Sequence, residues 1–279
     1  MRDLMRFAKG MVLPAATIAL ATGCTVTLGE RNMFPQGEKP MAMAPAGVAQ
    51  EAVELPVDGA TLRGWLFHAP SANKTIVYFY GAGGSVLNSA GELLWLSTTL
   101  SADVISLDYR GHGFSDGKPS FVALGADAVK TVDWAKERFP DRPLFLLGYS
   151  LGTTMAVHAA ASRPVAGVAL LAPPTSIDEM AQAMRARGPW YYRFVTVDVE
   201  PSLLTLPQPR DEVTKVISPL LIIHGTDDQK VPYWMGEKML ARAGTKAKQL
   251  CPVAHADHHS VLMSKAMIDC LARFVSTRR

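Results

Sequence analysis

Three kinds of residue fall along this 279-residue chain in an order that suits acyl transfer. A serine stands between two glycines in Gly148-Tyr149-Ser150-Leu151-Gly152, two adjacent aspartates follow in Thr226-Asp227-Asp228, and three histidines follow in His255-Ala256-Asp257-His258-His259. A serine hydroxyl is a weak nucleophile until an imidazole takes its proton, and the imidazole needs a carboxylate to fix its tautomer and stabilise its charge. Serine, acid, histidine is the chain order expected when the serine sits on a sharp strand-to-helix turn of an α/β sheet. Ser150 is therefore the candidate nucleophile, with Asp227 and Asp228 as alternatives for the acid and His255, His258 and His259 as alternatives for the base.

The sequence beside Ser150 has the elements such a turn requires. Leu144-Phe145-Leu146-Leu147 reads as a short buried strand, and the small, alanine-rich run after Leu151 reads as a packed helix. Gly148 to Gly152 joins them with no room for a loop, and small flanking residues tolerate the strained backbone. The N–H of Leu151, at the helix N-terminus, faces the same space as the hydroxyl and is a candidate oxyanion donor. A second match, Gly113-Phe114-Ser115-Asp116-Gly117, lies several residues past its strand, and Lys118-Pro119 follows it. No helix starts there, so Ser115 is a loop residue.

The remaining pattern alternates strands with helices. Residues 53–57 and 61–68 read as a hairpin closed by a type I′ turn at Asp58-Gly59. Strands are expected at 75–80, 103–108, 144–147, 165–171, 220–224 and 247–253. Helices are expected at about 87–100, 121–139, 231–243 and 261–275. This rhythm implies an α/β fold with a parallel sheet. Residues 175–218 interrupt it with Trp190, Tyr191, Tyr192 and Phe194 and with Pro201, Pro207 and Pro209, a composition suited to a lid over the pocket.

These motifs together resemble the α/β-hydrolase family, of the serine-esterase and prolyl-oligopeptidase-like type, within the branch of membrane-associated lipid and acyl-protein hydrolases. The resemblance covers about residues 50–276. It implies the α/β-hydrolase fold: a mostly parallel central sheet flanked by helices, with a lid-like insertion after the strand that follows the nucleophile. The family pattern His-Gly-Thr-x-Asp-x-x-Val-Pro matches His224 to Pro232 and puts the acid at Asp228. Its Gly-Ala-Asp-His pattern aligns with Ala256-Asp257-His258 and implies His258 as the base, His255 being the runner-up. Asp108-Tyr109-Arg110-Gly111-His112-Gly113-Phe114-Ser115 matches a structural loop beside the pocket. The family's His-Gly-x-x-Gly is here Tyr80-Gly81-Ala82-Gly83-Gly84, which makes the backbone N–H of Ala82 the second oxyanion donor.

The implied activity is hydrolysis of a small-molecule carboxylic ester or thioester through an acyl-enzyme, with no metal and no organic cofactor. Short-peptide hydrolysis shares the machinery, and a non-catalytic envelope lipoprotein that keeps the fold is the rival outside catalysis. Gly81-x-Gly83 followed by Asp108 also outlines a dinucleotide-binding unit, but Val86 stands where the third glycine belongs.

The N-terminus suggests export. Arg2, Arg6 and Lys9 precede an apolar run from Met11 to Ala21, the length of a signal-peptide core. Leu20-Ala21-Thr22-Gly23-Cys24 resembles a bacterial lipobox, whose cysteine is acylated. Residues 1–23 are thus expected to be a lipoprotein signal peptide, 24–50 a proline- and glycine-bearing tether and 51–279 the hydrolase domain. The resemblance implies a lipid anchor at Cys24 in the cell envelope, on the outer membrane facing the periplasm. Cys251 and Cys270 either bridge, as such a compartment permits, or remain free. The formal net charge is +3. Three of the basic residues lie in the leader, so the rest is near neutral and no nucleic-acid partner is implied.

Overall fold

The computed structural model describes residues 49–187 and 207–277, Leu203, and the backbone of residues 25–28 and 196–199. Its strands are β1 (Thr25–Leu28), β2 (Gln50–Val57), β3 (Ala60–Phe67), β4 (Thr75–Phe79), β5 (Asp103–Leu107), β6 (Leu144–Tyr149), β7 (Gly167–Leu171), β8 (Thr196–Val199), β9 (Leu220–Gly225) and β10 (Lys248–Val253). Eight of them form one sheet in the order β10-β9-β7-β6-β4-β5-β3-β2. Along the sheet pairing is parallel from β10 to β5, and antiparallel where β5 meets β3 and within the β2–β3 hairpin. Every residue of β4, β5, β6, β7 and β9 is buried. Helices cover both faces of such a sheet, so its strands read as unbroken apolar runs rather than alternations.

The helices are α1 (Ala90–Leu100), α2 (Phe121–Arg138), α3 (Gly152–Ser162), α4 (Ile177–Arg187), α5 (Pro209–Glu212), α6 (Tyr233–Arg242) and α7 (Lys265–Ser276). The helix after Ser150, α3, packs on β4, β6 and β7 as well as on α2, while α7 packs on β7, β9 and β10. Cys251 of β10 and Cys270 of α7 form a disulfide, which decides between the two readings of those cysteines.

Among the boundaries that differ from expectation, the hairpin turn and two helix starts have identifiable causes. The β2–β3 turn is not type I′, because only Gly59 is left-handed (φ 71°). Asp58 avoids that region, as residues with a Cβ do, and its carbonyl accepts from Arg110 Nη2 at 3.2 Å. Helix α1 starts at Ala90 rather than 87, since Ser85 engages the backbone N–H of Asn88 through Oγ and that of Ser89 through its carbonyl. Helix α7 starts at Lys265 rather than 261, because Ser264 is its cap: Oγ accepts from the Met267 N–H at 3.1 Å.

The insertion leaves and returns at one point. The Arg210 N–H donates to the Thr175 carbonyl at 2.8 Å, and the Arg210 guanidinium bonds Ser176, Asp178 and Glu179 at 2.7–3.1 Å. Lys238 of α6 adds a 2.6 Å bond to Glu179. Trp190, Tyr191, Tyr192, Phe194 and Pro201, on which the lid expectation rests, lie outside the described residues, as do residues 1–23 and Cys24. Within the segment expected to be a tether, β1 pairs in parallel with β8 of the insertion, Thr25 opposite Thr196.

Candidate active site

Ser150 follows β6 directly and lies in the left-handed region, at φ 50°. A residue with a Cβ pays for that conformation, and it persists because the turn is held on both sides. The Ser150 N–H donates to the Leu171 carbonyl at 2.9 Å, and the Ser150 carbonyl accepts from the N–H and the hydroxyl of Thr153 at 3.0 and 2.6 Å. Helix α3 starts immediately beyond, pressed so close to β4 that a Cβ on Gly152 would overlap the Phe79 carbonyl. Only glycine permits that approach.

The loop after β9 and the loop after β10 bring an acid and a base to this serine. Ser150 Oγ lies 3.1 Å from His258 Nε2, and His258 Nδ1 lies 2.7 Å from Asp228 Oδ2. Nδ1–H donating to the carboxylate leaves Nε2 free to accept from the serine hydroxyl. Both His258 and Asp228 are buried. The other carboxylate oxygen, Asp228 Oδ1, accepts the backbone N–H groups of Lys230 and Val231 at 2.8 and 2.9 Å. Burial pushes the Asp228 carboxyl up, but hydrogen bonds from His224, His258 and the backbone outweigh it and hold the group well below the usual carboxylate range. Asp228 is therefore ionised at any working pH.

The alternatives lie elsewhere. Asp227 is exposed, and its carboxylate accepts from Thr226 Oγ1. The His255 side chain is 92% exposed, beside Asp227. His259 Nε2 is 2.5 Å from Lys230 Nζ, and burial together with that ammonium lowers its pKa. Ser115 is buried and spent on structure: its Oγ donates to the Asp108 carbonyl at 2.6 Å and accepts from the Arg63 N–H at 2.8 Å.

The glycine loop after β4 closes over the serine, and a methyl built on Gly81 would come within 3.3 Å of Ser150 Cβ. Tyr80, standing where the resemblance calls for histidine, ties that loop to the end of β5. Its hydroxyl donates to Asp108 Oδ1 at 3.2 Å and accepts from the Tyr109 N–H at 3.0 Å, and the two rings lie 4.3 Å apart. Asp108 also accepts from the N–H groups of Val86 and Phe114, so both oxygens of this buried acid are engaged in bracing loops. The N–H groups of Ala82 and Leu151 donate to no described residue.

A family model described as the alpha/beta hydrolase fold matches residues 74–206. An esterase of Pyrococcus furiosus superposes with a TM-score of 0.69 at 18% identity, over 88% of this chain and 99% of its own. Est1E from Butyrivibrio proteoclasticus does so at 0.63 and 18%, over 81% and 98%. The human alpha/beta hydrolase domain-containing protein 17B is 29% identical over 210 residues, 75% of this chain and 68% of that protein. An uncharacterized protein of Mycobacterium tuberculosis is 29% identical over 250 residues, 87% of this chain and 85% of that one. The chain has the α/β-hydrolase fold.

Two further side chains brace this constellation. The Tyr149 hydroxyl donates to the His258 carbonyl at 2.9 Å, and its ring centroid stands 5.2 Å from that of the imidazole. His224 is fully buried, with Nε2 2.9 Å from the Val231 carbonyl and 3.5 Å from Asp228 Oδ2. His224 lies inside the matched motif, which is a signal of sorts. Tyr149 occupies a variable place between Gly148 and Ser150 and carries none. From the insertion, Arg187 Nη1 reaches the Asp228 carbonyl at 3.2 Å.

Proposed function

We propose that this protein is a serine hydrolase that cleaves a carboxylic ester or thioester through an acyl-enzyme. The observation that carries the reading is the hydrogen-bonded chain from Ser150 Oγ through His258 to Asp228, on a serine held at positive φ. In this reading His258 Nε2 takes the hydroxyl proton as Ser150 Oγ attacks the acyl carbon, and Asp228 balances the imidazolium without taking the proton itself. The negative charge that develops on the carbonyl oxygen is met by the N–H groups of Leu151 and Ala82. His258 then gives its proton to the departing alcohol or thiol. Water attacks the acyl-serine by the same route in reverse and releases the acid.

The proposed compartment is the bacterial cell envelope, with a lipid on Cys24. The basic-then-apolar leader supports this, and so does the Cys251–Cys270 bridge, since such bonds persist where the surroundings are oxidising. Labelling with a fluorophosphonate probe tests the enzyme reading. Wild type and Ser115→Ala should label, and Ser150→Ala should not. A well-folded wild type that fails to label removes the hydrolase reading and leaves a binding lipoprotein in its place; esters, thioesters and short peptides then separate the acyl classes for a protein that does label.

A further inference from the structure

A cleft of about 270 Å³ opens beside the glycine loop, lined by Tyr78, Tyr80, residues 81–84, Asn88, Ser89, Glu92, Tyr149 and Leu262. It is continuous with the proposed site, since Tyr149 and Gly81 both border Ser150 and Ala82 is a candidate oxyanion donor. Among the described residues, Glu92 is the one carboxyl on its wall, and no basic side chain lines it. Elsewhere in the described residues Asp127 has Arg110, Asp103 has Arg142, Glu179 has Arg210 and Lys238, Glu212 has His158, and Asp228 has His258 with two backbone N–H groups. Asp108 instead has three donors. Glu92 has one, the Tyr78 hydroxyl at 3.0 Å on Oε1.

Helix capping does not account for it. Ser89-Ala90-Gly91-Glu92 has the spelling of a capping box, in which the glutamate would reach back to the Ser89 N–H. That N–H goes to the Ser85 carbonyl, the Ser89 side chain makes no cap bond, and the Glu92 carboxyl turns to Tyr78 instead. Burial pushes the Glu92 carboxyl up to about 7, with the Tyr78 bond opposing it. A half-buried carboxylate without a counter-ion carries part of the cost of burying a charge, and a ligand that brings the missing cation recovers it. Tyrosine rings add to the attraction, because their faces are the negative part of the ring quadrupole.

We propose that this cleft receives an ammonium group of the substrate, with the Glu92 carboxylate as its counter-ion and Tyr78, Tyr80 and Tyr149 as its walls. The assignment rests on Ser150 being the reacting residue, and it makes the natural substrate a cationic ester or thioester.

The test is calorimetric titration of the full chain carrying Ser150→Ala with choline and with its neutral isostere 3,3-dimethylbutan-1-ol at pH 8. Choline is expected to bind saturably and at least tenfold more tightly than the alcohol. Glu92→Gln, which keeps an oxygen for the Tyr78 hydroxyl, should bring the two within about twofold. Equal binding of the pair, binding of neither, or a preference that survives Glu92→Gln overturns the proposal. The comparison within the Ser150→Ala protein stands even if the Glu92 variant folds poorly. Since no turnover is needed, the result is independent of probe labelling: a chain that labels at Ser150 yet ignores choline keeps its hydrolase reading and loses only the cation subsite.

Discussion

Tyr149 stands beside the proposed nucleophile in sequence, yet its hydroxyl is committed to the proposed base, His258. Without that donor the His258 carbonyl would be left unpaired in a buried loop, at a cost of about 1–3 kcal/mol. Tyr149→Phe keeps the ring against the imidazole and removes only the hydrogen bond. The expected result is a fall in kcat of about tenfold on any ester the enzyme turns over, with KM changed less than about twofold, because the loss falls on base alignment rather than on substrate contact. Steady-state kinetics of the two proteins checks it, and a rise in KM alone would assign Tyr149 to the pocket instead. Glu92 makes a prediction of different sign from most carboxylates. Its folded pKa of about 7 lies above its ordinary value of 4.5, so between those values the folded state holds a proton that the unfolded state has lost. Stability therefore falls as pH rises from 4.5 to 7, by up to about 3 kcal/mol, and is level above. Glu92→Gln should match wild type near pH 4 and be the more stable protein at pH 8, as read from urea unfolding at both. Equal stability at the two pH values would mean that the carboxyl is not buried. Neither role was legible in the sequence. Ser150 was, because an elbow needs its glycines nearby, whereas choosing Asp228 over Asp227 and His258 over its neighbours took a family pattern. Tyr149 and Glu92 act through partners about 109 and 14 residues away, respectively, and such contacts leave no local spacing to read.

At the scale of elements, the buried strands declared themselves because both faces of a parallel sheet are apolar, so β4, β6, β7 and β9 lay where continuous hydrophobic runs predicted them. Element ends were less legible, because side chains decided them: Ser85 delayed α1, Ser264 delayed α7, and Arg110 helped set the hairpin turn from across the fold. The disulfide was undecidable from two cysteines alone, since pairing depends on how α7 lies against β10. That bridge encloses the loop bearing His258, tying the strand before it to the helix after it. A loop of this length removes about 3 kcal/mol of chain freedom from the unfolded state. Cys270→Ser, or reduction of wild type with dithiothreitol, should lower unfolding stability by about that amount. The folded protein at 25 °C should still label at Ser150, because the hydrogen bonds to Asp228 and Tyr149 also hold His258. Urea unfolding with and without reductant measures the first effect, and a variant that stays stable but no longer labels would make the bridge an alignment device rather than a staple.

For the whole molecule the open relation is between the N-terminal segment and the insertion. Reading 24–50 as a spacer would let the hydrolase domain stand on the order of 80–90 Å from a bilayer. Instead β1 begins one residue after Cys24 and lies parallel to β8 within the insertion. If Cys24 carries the proposed lipid, the insertion is held at the membrane surface, and through Arg187 it reaches the backbone of Asp228. The anchor and the catalytic residues would then be linked by one short path, with the insertion side of the domain turned to the bilayer. Cys24→Ser removes the acylation site and leaves β1 to pair as before. Expressed in a bacterium that processes lipoproteins, wild type should sediment with membranes and require detergent for release, since anchoring by more than one acyl chain is stable. The Cys24→Ser chain should move to the soluble fraction and label at Ser150 as strongly as wild type in detergent. A Cys24→Ser protein that still sediments with membranes would show that the leader itself, or the surface of the domain, does the holding, and the lipid-anchor reading would be abandoned.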